Sequence, residues 1–150
     1  MEPSAQAFVA AHRAELLGLC GELVAATSVN PPGRTVEAAG VLAGFLARFG
    51  IAAETVARDP AKPNLVAVLE GAGTGPHLVL NGHLDTIPPG EEAAWNVPPF
   101  ELTERDGRLF GLGMGNMKGG LAALALAFAW LAGERERWPG RASFTAVADE

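Results

Sequence analysis

His77-Leu78-Val79-Leu80-Asn81-Gly82-His83-Leu84-Asp85 is an apolar run that ends in a histidine and an aspartate. Residues 77 to 80 read as a strand, and polar residues begin where the apolar ones stop. A histidine leaving a strand end can present a ring nitrogen to a metal. A carboxylate two residues on lies on the same side of an extended chain. It can accept the other ring N–H, which fixes the tautomer and raises ligand basicity. Taken alone, the pair His83 and Asp85 fits a structural histidine bonded to its neighbour better than a metal ligand.

Working outward, Asn64 to Leu69 reads as a second strand, residues 51 to 57 as a shorter third and Arg108 to Phe110 as a fourth, with a turn at Gly71 to Gly75. Arg141 to Ala148 is a further strand, feeding Asp149 and Glu150. Residues 4 to 27 carry Phe8, Leu16, Leu19 and Leu23 near helical spacing, with Ser4 as N-cap and a stop near Ser28, ahead of Pro31 and Pro32. Thr35 caps a second helix with Ala38, Leu42, Phe45 and Leu46 on one stripe and Gly50 as its stop. Asn116 begins a long apolar helix that runs to about Ala132. This order of helices and strands implies an α/β sandwich with a mixed sheet. The chain stops where a strand delivers two acids, a place where α/β proteins put ligands, which points to a fragment or a truncated gene product.

Composition narrows the functional classes. With 49% hydrophobic and 19% charged residues in 150, the chain can bury one core. A net charge of −6 with scattered basic residues argues against a nucleic-acid partner. Arg135 and Arg137 alternate with Glu134 and Glu136 as a solvated helix end. Cys20 is the only cysteine, lies in an apolar stretch and reads as a buried small hydrophobe in a reducing compartment. Glu2 and Pro3 do not open a secretory signal, and Leu121 to Ala132 is too short to cross a bilayer, so the expectation is a cytoplasmic protein without a membrane partner. His12 and His77 have no carboxylate partner in sequence and read as surface or structural residues.

Gly111-Leu112-Gly113-Met114-Gly115-Asn116-Met117-Lys118-Gly119-Gly120 is a glycine-rich turn entering a helix. It is not a dinucleotide fingerprint, because Asn116 stands where the third glycine belongs, and it lacks the ending of a phosphate loop. The order within one chain carries the signal: a strand then His83 and Asp85, a glycine turn then Asn116, a strand then Asp149 and Glu150.

In that order, and with Ser28-Val29-Asn30-Pro31-Pro32-Gly33, Thr86-Ile87-Pro88-Pro89-Gly90, Trp95, Pro99-Phe100, Asp106 to Gly111 and Met117-Lys118-Gly119-Gly120 between and around them, the sequence resembles the zinc aminoacylase and carboxypeptidase family. That family includes acetylornithine deacetylase, succinyl-diaminopimelate desuccinylase and glutamate carboxypeptidase. The resemblance implies a three-layer sandwich with a mixed, mostly parallel sheet flanked by helices, as the N-terminal part of an incomplete catalytic domain. It implies hydrolysis of amide bonds in N-acyl amino acids or short peptides with a free carboxylate, and two metal ions, zinc or cobalt, in the complete site. By position, His83 would be a zinc ligand and Asp85 would orient its imidazole. Glu150 matches the first of two consecutive glutamates, the general base.

Two departures stand out. Asn116 replaces an aspartate that bridges the two ions in the family, and an amide offers neither the second oxygen nor the charge. As a helix cap asparagine equals aspartate, so the change is expected to spare the helix and hurt the metal site. Leu112, where arginine is frequent, is a smaller departure. The second glutamate, the later ligands, the rest of the catalytic domain and the inserted lid that forms the homodimer are not among these residues. The expectation for the 150-residue chain is therefore weak or absent zinc binding and little activity. The alternative reading is a non-catalytic remnant acting as a binding module.

Overall fold

A computed structural model describes residues 4–149; Glu150 and the first three residues lie outside it. The helices are α1 (Ala5–Ala11), α2 (Arg13–Ala25), α3 (Val36–Arg48) and α4 (Gly119–Gly133). The strands are β1 (Ala53–Val56), β2 (Asn64–Glu70), β3 (His77–His83), β4 (Thr103–Arg105), β5 (Arg108–Phe110) and β6 (Arg141–Val147).

The expected first helix is two. Ser4 caps α1 by accepting the Ala7 N–H at 3.3 Å, and the run breaks at His12, whose Nδ1 lies 2.8 Å from the Phe8 carbonyl. Thr35 precedes α3 but does not cap it through its side chain; its hydroxyl donates to the Pro63 carbonyl at 3.0 Å instead. Gly50 follows α3 with a positive φ of 71°, the left-handed stop expected of it. Ala38, Leu42, Phe45 and Leu46 are buried, as the stripe requires.

Four strands form the main sheet in the order β1-β2-β6-β3. β1 with β2 and β2 with β6 are antiparallel, while β3 with β6 is parallel. The sheet is mixed, as expected, but antiparallel pairing predominates where a mostly parallel sheet was expected. The short connection from β1 to β2 is a hairpin-like turn, which forces opposite directions. β4 and β5 form a separate hairpin closed by Asp106 and Gly107, both with positive φ. Asp-Gly is the dipeptide such a two-residue turn selects.

One face of the sheet carries Leu65, Ala67, Leu69, Ala142, Phe144 and Ala146, all buried. Helices α2, α3 and α4 stack over it, with the Phe128 and Phe144 ring centroids 5.8 Å apart. Cys20 is inside this core. On the opposite face Val56, Val68 and Val79 remain 56%, 45% and 53% exposed. Among the described residues no helix covers that face. Among them, too, no helix is long and apolar enough to cross a membrane.

Candidate metal centre

β3 and β6 run parallel in register, His83 opposite Val147, so both deliver their ends to the same rim of the sheet. The ladder extends one residue beyond β3, with the Leu84 N–H donating to the Val147 carbonyl at 2.7 Å. The segment from Ser28 to Asn30 then zips alongside. Ser28 Oγ donates to the Leu84 carbonyl at 2.7 Å, the Thr86 N–H to Ser28 at 3.0 Å and the Asn30 N–H to Thr86 at 2.7 Å. This parallel bridge places Asn30 Nδ2 2.8 Å from Oδ2 of Asp85.

His83 and Asp85 are both buried, at 8% and 3% exposure. His83 Nδ1 lies 2.9 Å from the backbone carbonyl of Asp85, while the nearer carboxylate oxygen is 3.7 Å away. That is too long for a hydrogen bond. The short contact of Nδ1 is therefore to the Asp85 main chain, and the carboxylate stands beside it at 3.7 Å. The reason is local: β3 ends at His83, and the chain at Asp85 turns toward Asn30, whose amide takes the carboxylate.

Asn116 meets His83 from the other side. It does not cap α4, contrary to expectation. Its φ and ψ of −149° and 100° are extended, the turn Met114–Lys118 is irregular, and the helix begins only at Gly119. Within that turn the Asn116–Met117 peptide is cis. The His83 N–H donates to Met117 Sδ at 3.4 Å, and Asn116 Oδ1 stands 3.1 Å from His83 Nε2.

A neutral imidazole has one N–H, and Nδ1 uses it on the Asp85 carbonyl. Nε2 then offers a lone pair toward an amide oxygen that also offers lone pairs. The contact is favourable if the ring is doubly protonated, if the Asn116 amide is turned to present its NH2, or if both atoms share a cation. The donor chemistry therefore fits one corner of a metal site. Among the described residues no group of three or more His, Cys, Asp or Glu could hold an ion, so the pair is one corner and not a full ligand set. Glu150, the remaining expected member, lies outside the described residues.

Asn30, His83, Asp85, Thr86, Ile87 and Asn116 line a cavity of about 270 Å³. A larger cleft of about 700 Å³ beside the start of α3 is lined by exposed Arg34, Glu37 and Asp59 and brings no imidazole to its wall. The chemistry belongs to the smaller one.

Beneath the Asn116 turn, Lys118 is 2% exposed and its Nζ donates to the Ala26 carbonyl at the end of α2, at 2.8 Å. Burial lowers its pKa to about 8. Neither Asn30 nor Lys118 stands out by residue type. Their place in the quoted motifs was the only sequence signal. His12 and His77 are structural as expected: His77 Nε2 lies 2.8 Å from Ser143 Oγ on the sheet.

The profile of Peptidase family M20/M25/M40 matches residues 79–150. The chain is 36% identical over 147 residues to an N-formyl-4-amino-5-aminomethyl-2-methylpyrimidine deformylase of Halalkalibacterium halodurans, covering 96% of this chain and 34% of that protein. It is 38% identical over 136 residues to a succinyl-diaminopimelate desuccinylase of Bordetella avium, covering 90% and 34%. Human carnosine dipeptidase 1 superposes with a TM-score of 0.75 at 26% identity, over 93% of this chain and 33% of that one. At 19% identity and a TM-score of 0.64, a Bacillus subtilis protein described as a dinuclear metal binding peptidase shares the fold, over 91% and 35%. The chain spans about a third of the length of the relatives it matches. The matched residues include His83, Asp85 and Asn116, and over them the chain matches the M20/M25/M40 peptidase family, spanning part of that family's catalytic domain.

Proposed function

We propose that residues 1–150 form the N-terminal part of the catalytic domain of a zinc-dependent hydrolase of amide bonds in N-acyl amino acids or short peptides. The observation that carries this reading is the His83 ring, anchored at Nδ1 and facing Asn116 Oδ1 with Nε2. The names of the relatives, a deformylase, a desuccinylase and a dipeptidase, support the bond class. His83 Nε2 and Asn116 Oδ1 would hold one zinc ion. When bound, zinc supplies a water of lowered pKa and polarises a carbonyl. The chain's own share is to fix the imidazole tautomer through the Asp85 carbonyl and to hold Asp85 through Asn30. Glu150 is the general base in this reading, taking a proton from the water and returning it to the leaving amine. The remaining ligands, the second ion and the lid that forms a homodimer belong to the longer family proteins. The lone buried Cys20 supports a reducing compartment, the cytoplasm.

The test is a zinc titration of the 150-residue protein and its His83→Ala variant, with an N-acyl amino acid assay alongside. The expected result is weak binding of at most one ion, lost in the variant, with hydrolysis near background. Two tightly held ions per chain, or binding indifferent to His83, would overturn the reading.

A further inference from the structure

The turn that leaves β6 is gripped from outside its own strand. Asp149 has a φ of 62°, a left-handed conformation that costs a residue with a Cβ about 1 kcal/mol. Two side chains from the segment entering β2 hold the chain there. Asn64 Oδ1 accepts the Ala148 N–H at 2.8 Å, and Lys62 Nζ donates to Asp149 Oδ1 at 2.6 Å. Lys62 is itself braced. Its N–H donates to the Asp59 carbonyl at 2.9 Å, Asp59 Oδ1 accepts the Ala61 N–H at 2.9 Å, and the Ala61 carbonyl accepts the Thr35 N–H at 3.0 Å. Because β2 and β6 are antiparallel, the entry of one and the exit of the other share the rim to which β3 brings His83.

The hydrogen bond to Asp149 raises the Lys62 pKa, desolvation opposes it, and the charges of Asp149, Asp59 and Asp85 add to the rise. Lys62 therefore stays an ammonium at neutral pH. The pair is partly open to water, with side chains 27% and 56% exposed, and such pairs contribute little stability. Its value lies in direction.

We infer that Lys62 is a positioning residue: its ion pair with Asp149 holds the left-handed turn at the end of β6 and so fixes the backbone of Asp149 itself. The inference deepens the hydrolase reading and rests on it for its chemical meaning, because Glu150 is the general base there.

The experiment compares the labelled 150-residue protein with Lys62→Met and Lys62→Arg by NMR. It follows hydrogen exchange at the Ala148 amide and the pH titration of the Glu150 side-chain carboxyl, with a urea midpoint for each variant. In Lys62→Met, exchange at Ala148 is expected to quicken about tenfold. The Glu150 titration should shift while the urea midpoint stays close to the parent. Lys62→Arg keeps the cation and should restore both signals. A parent-like Ala148 rate and Glu150 titration in Lys62→Met would overturn the inference, as would an arginine variant that behaves like the methionine one. A uniform fall in the urea midpoint with no local change would assign Lys62 a merely structural role and overturn it too. No zinc is present in any arm, so a failure of the metal reading registers separately.

Discussion

Nε2 of His83 and Oδ1 of Asn116 face each other at 3.1 Å although 33 residues separate them in sequence. The strand end and the irregular turn before α4 bring these two groups together. A neutral amide there completes a contact with the imidazole but brings no charge to a cation.

Asn116→Asp should therefore act on the metal and spare the scaffold. Removing a supporting partner of a metal site typically changes affinity about 10–100-fold, so supplying a charged ligand should gain at least about tenfold in zinc affinity. Because Asn116 caps no helix, urea stability without zinc should stay within about 0.5 kcal/mol of the parent. Calorimetric titration and urea unfolding check both halves. Unchanged zinc affinity would refute this account of position 116.

Asn30→Ala removes the amide that bonds the buried Asp85 carboxylate at 2.8 Å. A hydrogen bond to a charged group is worth about 1.5–3 kcal/mol, and unfolding free energy should fall by that order. In a double-mutant cycle with Asp85→Asn the two changes should couple by more than about 0.5 kcal/mol. Additive effects would show that the contact carries no weight.

Lys118 gives the fold a pH signature. Its pKa falls from an ordinary 10.5 to about 8 by burial. Below the lower value the ammonium is charged in both folded and unfolded states, and the full cost of burying it is present. Between the two values the folded state has shed a proton that the unfolded state retains, so stability rises with pH, by roughly 3 kcal/mol across the window. Above the higher value the gain levels off. Lys118→Met should abolish that rise in urea unfolding measured from pH 7.5 to 11. A parallel curve for the two proteins would contradict it.

Gly113 has a φ of 82°, and a Cβ there would stand 2.5 Å from Thr86 Cγ2 and 3.1 Å from Lys118 Cδ. Gly113→Ala should cost about 2–3 kcal/mol and disturb the Thr86 wall of the His83 cavity and the buried Lys118. Gly90 has a similar φ of 73° but open space around it, so Gly90→Ala should cost only about 1 kcal/mol. Thermal unfolding of the two variants side by side tests the difference, and equal losses would show that crowding at Gly113 is absent.

Features governed by near neighbours were legible in the sequence. Ser4, Gly50 and the strands at 64 and 141 follow local rules of capping and period, and the structure keeps them within a residue or two. The β4 strand was missed although Asp106-Gly107 announced its hairpin, because Thr103 to Arg105 is too polar to read as a strand. Asn116 was misread as a cap, since the glycine-rich approach resembles a helix start and the residue that claims its side chain lies far away in the chain. Asn30 and Lys118 were invisible as individuals for the same reason: each acts through a partner that only the folded backbone brings near. The orientation of β2 against β6 depends on which strands become neighbours, and no local pattern encodes that.

Strand β6 has a particular consequence for how the protein is made. It is synthesised after β2 and β3, yet it lies between them. Those two earlier strands do not bond each other, and each waits on the ribosome for the same late segment. Until Arg141–Val147 emerges, β2 has only β1 beside it and β3 lacks its partner in the sheet. Closure then joins residues as distant as Asn64 and Ala148 in one event. Such non-local closure is slow and exposes strand edges while it waits, so the sheet is completed by its latest-made strand.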